Sequence, residues 1–577
     1  MTKSRRLLLG VLVLWLATGI PLSGQSQGMK AIRADSMKFH LKFLGAVEFR
    51  GRSAPSAELD IASRYIALSA ERLGLRPLLP GGSYCQNIPV EVTSVSQATS
   101  SLRLTTDGAE QRYYFPRAFG VGRLTGDGVA AGSLVLLGLG LSAPQLNWDD
   151  LADVNLKGKV AVILDVSLPK EHTLKPEQNR RLLMGRAAAA REKGAVAVVT
   201  VINEEREARL AQANLPFDAQ DRFRFLDIET GTGPAAPAPA SSPAFFQIDV
   251  RHDPAAAILG ITRAELSEMF AAIRQGRRLR SREWPARRLE VAVHFDSRRS
   301  ESSNVVAYLE GRDPALSKEY VVISSHSDHL EVRDGRVYPG SDDNASGAVA
   351  MLAIAQGLRA ERPKRSVIFI WNTAEEKGLL GSYYFVQHCP VPPEKISANL
   401  NLDMISRNDP GQIYLIGSNK LSSELDQSIQ SMNARKIGLR LDYTFQDPGH
   451  PERFFFRSDQ YPYIRYGIPG VWFFCGTTED YHHEGDIEEK ADYQKMERVA
   501  RLVYLVAMDI GNKPSLLKLD VNPKVTKRGK DNMATVWQKT GRQLRSNSRY
   551  MTRRGFPLRD RRVRLKRRCM WSRPSSL

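Results

Sequence analysis

Val321-Val322-Ile323-Ser324-Ser325 (VVISS, 321–325) is a short unbroken run, and His326-Ser327-Asp328 follows it directly. Three β-branched residues in succession, without polar alternation, read as a strand buried on both faces. Working outward, Val367–Trp371 is a second such strand, Asn399–Leu402 a third and Val471–Phe474 a fourth. Between the first two, Ala348–Leu358 reads as a helix started by the polar pair Asp343-Asn344. From Leu289 onward the pattern is strand–helix alternation. It predicts an α/β domain with a mixed, mostly parallel central sheet flanked by helices.

Upstream, residues 36–76 read as helical, with Leu41, Leu44, Ile61, Ala62, Tyr65, Ile66 and Leu73 at helical spacing and Gly74 as a stop. A separate unit follows, with β-type runs at Ser133–Leu141, Val160–Val166 and Ala195–Ile202 and a helix over Arg186–Lys193. Gly231–Pro243 (GTGPAAPAPASSP) has no means of building a core and reads as a surface insertion.

In open α/β sheets ligands bind beyond the carboxyl ends of the strands. His326, Ser327 and Asp328 end the first strand, and the loop after it carries Ser341-Asp342-Asp343-Asn344. Glu375-Glu376 follow the second strand, Asp403 the third, and Tyr481-His482-His483 the fourth. Singly these are a common histidine, a helix cap and a solvated acidic pair. Together they are carboxylates gathered at buried strand ends, which need a compensating cation. Mixed His and Asp/Glu donors suit zinc.

The ordered pieces HSDH, YPGSDDNASG, NTAEEKGLLGS, NLDM and DYHHEGD resemble the co-catalytic zinc peptidases that include bacterial leucyl aminopeptidase and glutamate carboxypeptidase. The resemblance covers about 300–512, and residues 30–80 and 112–280 also look like secreted members, the latter as an inserted β-rich α+β protease-associated domain. It implies two Zn2+ ions. His326 and Asp403 would hold one, Glu376 and His482 the other, and Asp342 would bridge them. Asp328 would orient His326, Glu375 would be the general base, and Tyr481 would donate to the oxyanion. His483 stands where relatives often have a hydroxyl residue, and His329 is set aside as a ligand. Arg457-Ser458-Asp459 resembles a segment lining the cleft. The implied domain order is 1–28 signal peptide, 29–111 first part of the peptidase domain, 112–280 insertion, 281–520 catalytic domain and 524–577 basic tail.

The chain has 577 residues and a net charge of +19. Residues 1–28 hold Lys3, Arg5 and Arg6 with no acid, and 524–577 hold 18 Lys+Arg against Asp531 and Asp560, so the two ends carry the whole excess. The body needs no anionic partner, and no nucleic acid is expected. Basic residues before the apolar run Leu7–Ile20 read as an export signal, with an uncleaved anchor as the other reading. That run is shorter than a spanning helix, so no stable membrane anchor is expected and the enzyme should be periplasmic or extracellular. Cys85, Cys389, Cys475 and Cys569 show no metal-type spacing; export permits disulfides, which the sequence cannot pair, and most of the four read as buried free thiols. The expected activity is that of an exopeptidase on peptide or protein substrates, most simply an aminopeptidase. A carboxypeptidase, a single-zinc glutaminyl cyclase and a non-catalytic receptor-like ectodomain are the alternatives.

Overall fold

The computed structural model describes residues 26–143, 146–167, 176–218, 221–229 and 244–532. Residues 1–25 of the segment expected as an export signal, the 231–243 insertion and most of the basic tail lie outside the described residues. The chain divides into two compact units: one takes residues up to 86, 303–330 and from 339 onward, and the other takes 87–302 and 331–338.

In the first unit the sheet is built from β1 (Phe295–Leu309, of which 303–309 belong to this unit), β2 (Tyr320–His326), β3 (Ser366–Asn372), β4 (Ile396–Leu402), β5 (Gln412–Ile416), β6 (Arg440–Asp442) and β7 (Gly470–Phe474). Their order is β1-β3-β2-β4-β7-β5-β6. The central strands β3, β2, β4 and β7 are mutually parallel, while β1 and β5 pair antiparallel at either side. The sheet is therefore mixed with a parallel centre, as the unalternating strands require.

Burial on two faces explains the pattern. Val321 and Ile323 join one apolar cluster and Val322 the opposite one; Val367, Phe369 and Trp371 divide from Ile368 and Ile370 in the same way. The first face is covered by α1 (Ala34–Leu44), α2 (Ala57–Arg72), α3 (Gly347–Ala360) and a later helix Tyr493–Asn512; the second packs against Phe385 and Val386 of α4 (Leu380–Gln387). The expected 36–76 segment is thus two helices, and Gly74 sits just past the second with φ +76°. Ser56 caps α2 by accepting from the Leu59 N–H at 3.1 Å. Ser56→Ala should cost about 1 kcal/mol in thermal or denaturant unfolding.

The second unit has a mixed sheet ordered 109–114, 101–106, 282–293, 128–136, 160–164, 197–201, 246–250, 119–121. The interval 112–280 falls inside it. The unit is wider because Arg282–Val293 pairs with both Ser101–Thr106 and Gly128–Leu136, which ties both flanks into one sheet. Helices Pro176–Glu192, Glu204–Gln212, His252–Leu259 and Arg263–Arg274 accompany it. Among the described residues, no helix is long and apolar enough to cross a membrane, and Cys389 and Cys475 are free thiols.

Candidate functional site

Because β2, β3, β4 and β7 run parallel, their carboxyl ends share one rim. His326 is the last residue of β2, Glu375 and Glu376 follow β3, Asp403 follows β4, and Tyr481-His482 lie beyond β7. His326 Nε2 lies 3.3 Å from Asp403 Oδ1, 3.4 Å from Asp343 Oδ1 and 3.9 Å from Glu375 Oε2. His482 Nε2 lies 3.1 Å from Asp343 Oδ2 and 3.1 Å from Glu376 Oε1. Asp343 thus turns one oxygen towards each histidine.

Asp342, expected as the bridge, does not face this cluster. Its Oδ1 accepts from the Ser406 N–H at 2.8 Å and from Ser406 Oγ at 2.7 Å, and its Oδ2 from Cys475 Sγ at 3.3 Å. The cause is local: Gly340 is left-handed, and Asp343 leaves the helical region at φ −104°, ψ 91°, so the adjacent carboxylates diverge. Asp343 takes the central position, and Asp342 ties the loop after β4 to the loop before α3.

Asp328 also acts elsewhere than expected. The His326 Nδ1 hydrogen bond goes to the Asp328 backbone carbonyl at 3.0 Å, with the carboxylate at 3.8 Å. That carboxylate instead accepts from the N–H groups of Glu375 (3.1 Å) and Glu376 (3.3 Å), fixing the turn that presents both glutamates. Behind Asp403, Ser458 Oγ donates to its Oδ2 at 2.5 Å; Asn401 Nδ2 donates to Ser458, Ser324 Oγ to Asn401, and Asn399 Nδ2 to Ser324, each at 2.8 Å. This buried chain across β2 and β4 orients Asp403 from the sheet itself.

Three residues of the site escaped sequence reasoning. Asp486 accepts from the N–H groups of Asp342 (2.8 Å) and Asp343 (3.0 Å). Arg52, 1% exposed, donates to the carbonyls of Leu44, Ser327, Pro339 and Gly340 and so joins the β2 end to the loop before α3. His329 brings Nδ1 to 3.0 Å from Glu376 Oε1. Asp486 stood in a recognised polar run but at no strand end, and nothing in the sequence marks Arg52. His483 points away, with Nδ1 at 2.8 Å from the Tyr481 carbonyl.

The donor set fits a cation. Asp343, Glu375 and Asp403 are buried, and they form ion pairs with His326 and His482. Glu376 Oε1 and His482 Nε2 are buried without a well-formed hydrogen bond among the described residues. Burial alone would lower His326, but Glu375, Asp403 and Asp343 together outweigh it and hold it well above the usual imidazole range. His482 is likewise pushed up to about 10, Asp343 and Glu376 outweighing burial. A metal bound by these histidines would have to displace their protons. Since His482 is protonated below about 10, zinc affinity should rise with pH, by about one or more log units per pH unit around neutrality; competition titration against a chelator at several pH values checks this. Burial raises Glu375 well above the usual carboxylate range, against the pull of His326.

The rim opens on a cleft walled by Met404, Phe454, Trp472 and Phe474, with Thr477, Arg457 and Tyr481 at its polar side. Burial keeps the Tyr481 phenol protonated, and its oxygen already accepts from Arg457 Nη2 at 2.9 Å. A surface depression elsewhere, lined by Lys30, Arg33, Gln494, Glu497 and Arg501, has no comparable donor set.

The family model described as Peptidase family M28 matches residues 304–507. Among curated proteins, a probable leucine aminopeptidase 2 of Aspergillus oryzae is 34% identical over 194 residues, covering 33% of this chain and 37% of the relative. Leucine aminopeptidase 2 of Trichophyton rubrum is 27% identical over 260 residues, covering 39% and 49%. The matched region thus spans under half of each relative's own length. Among solved structures, a zinc aminopeptidase from Bacillus subtilis superposes with a TM-score of 0.50 at 16% identity, covering 85% of this chain and 99% of that one, and shares the fold.

Proposed function

We propose that the chain, whose residues 304–507 match the model of Peptidase family M28, is a zinc-dependent exopeptidase of that family, most simply an aminopeptidase. The observation that carries the reading is Asp343, one oxygen facing His326 and Asp403, the other facing His482 and Glu376. Two zinc ions would share it, the first held by His326 and Asp403 and the second by Glu376 and His482. When bound, zinc polarises the scissile carbonyl and acidifies a water.

The chain's own residues supply the rest. Glu375, presented beside His326 by the Asp328-anchored turn, takes the proton of the attacking water and returns it to the leaving amine. Tyr481, whose oxygen accepts from Arg457, turns its O–H to the developing oxyanion. The aromatic wall of Phe454, Trp472 and Phe474 receives an apolar side chain of the substrate. We read residues 1–28 as an export signal and the 112–280 region as a protease-associated insertion, which makes the enzyme a secreted one.

A panel of aminoacyl-nitroanilides, N-blocked peptides and dipeptides tests the activity. Unblocked substrates should be cleaved, a chelator should abolish turnover, and added zinc should restore it. Equal cleavage of N-blocked peptides would overturn the aminopeptidase assignment, and cyclisation of a Gln-peptide with one bound zinc would replace it by a glutaminyl cyclase.

A further inference from the structure

His329 closes the run His326-Ser327-Asp328-His329, and its ring is fully buried. Its backbone N–H donates to the Arg52 carbonyl at 3.2 Å. Gly340, at φ +61°, presses its backbone against the ring, where an added Cβ would come within 2.5 Å of Cδ2. The imidazole is therefore pinned in one orientation, and that orientation carries Nδ1 to 3.0 Å from Glu376 Oε1 and 3.7 Å from Asp343 Oδ2. The same two oxygens are the ones approached by His482 Nε2. The two rings meet edge-on, centroids 5.6 Å apart at 72°. Among the described residues, neither His329 nitrogen, nor His482 Nε2, nor Glu376 Oε1 has a well-formed hydrogen bond.

His329 Nδ1, Asp343 Oδ2 and Glu376 Oε1 thus lie close enough together to hold one cation, and His482 Nε2 approaches the same two oxygens from a fourth chain segment, the four histidine-to-carboxylate separations being 3.0 to 3.7 Å. A tetrahedral zinc with bonds of about 2.0–2.1 Å spaces its ligand atoms about 3.3–3.4 Å apart. We propose that His329 is a fourth protein ligand on the Glu376–His482 side of the centre. The inference rests on the zinc reading above and makes the two halves unequal. His326, Asp403 and Asp343 give one half three protein donors and leave a position for water or substrate. His329, His482, Glu376 and Asp343 close the other half, as in a structural zinc site. The closed half should hold its ion more tightly and the open half should carry the chemistry.

The test uses the full chain, stripped of metal by chelator dialysis and titrated with zinc, then with cobalt. Wild type should bind two zinc ions with clearly different affinities. His329→Phe keeps the ring but offers no donor, and it should weaken the tighter site by about tenfold or more. His329→Cys places a thiolate donor at that position, and its cobalt form should acquire a sulfur-to-metal charge-transfer band in the near ultraviolet. Circular dichroism confirms that each variant is folded, and the cysteine variant decides the matter if the phenylalanine one is not. Unchanged zinc affinities in His329→Phe, or a cobalt-loaded His329→Cys without the thiolate band, would overturn the proposal while leaving the zinc reading intact. A folded wild type that takes up no zinc would overturn both.

Discussion

Glu375→Gln should bind zinc as the wild type does and lose turnover by roughly 10²–10⁴-fold, the range a positioned general base supplies. The substitution preserves shape, and the Glu375 N–H that Asp328 holds at 3.1 Å is main chain and unaffected. The amide cannot take up a proton, so kcat should fall while KM changes little. Metal analysis and steady-state kinetics on the same preparation separate the two effects. A variant within tenfold of wild-type kcat would remove Glu375 from the base role.

Asp343→Asn and Asp342→Asn should behave oppositely, although the residues are neighbours. Asp343 turns one oxygen to His326 and the other to His482, so on the proposed two-zinc reading its amide should bind zinc poorly on both sides and be nearly inactive. Asp342 is held by Ser406 and Cys475 instead. Burial, with Asp486 nearby, pushes its carboxyl up to about 7, so an amide is a fair stand-in near neutrality. Asp342→Asn should retain two zinc ions and lose about 1–3 kcal/mol of stability from imperfect pairing. Zinc content after exhaustive dialysis, with a melting curve, reads both. The reverse pattern would restore Asp342 to the bridging position.

These neighbours also mark where sequence reading stops. The strands were legible because residues such as Val321 to Ile323 are apolar on both faces, and such runs have few other readings. Strand ends then located His326, Glu375, Glu376 and Asp403 without further information. The Asp342/Asp343 choice depended on one departure from helical backbone inside a polar run, which no periodicity reports. Asp328 lies at the expected place but spends its oxygens on two main-chain N–H groups, and main-chain partners leave no trace in residue types. His329 was set aside because its neighbours in the chain say nothing of Glu376 and His482, which reach it from distant loops.

Arg52 has a practical consequence for anyone cutting the protein. Its guanidinium joins carbonyls that lie 275, 287 and 288 positions downstream at Ser327, Pro339 and Gly340. During synthesis these loops have nothing to close on until almost three hundred further residues have emerged, so completion of the catalytic rim is a late folding event. An excised 304–507 fragment would contain the proposed zinc donors and the proposed general base yet lack the arginine that knits their loops together. The smallest active piece should therefore begin before residue 52, well upstream of the stretch that matches the family model.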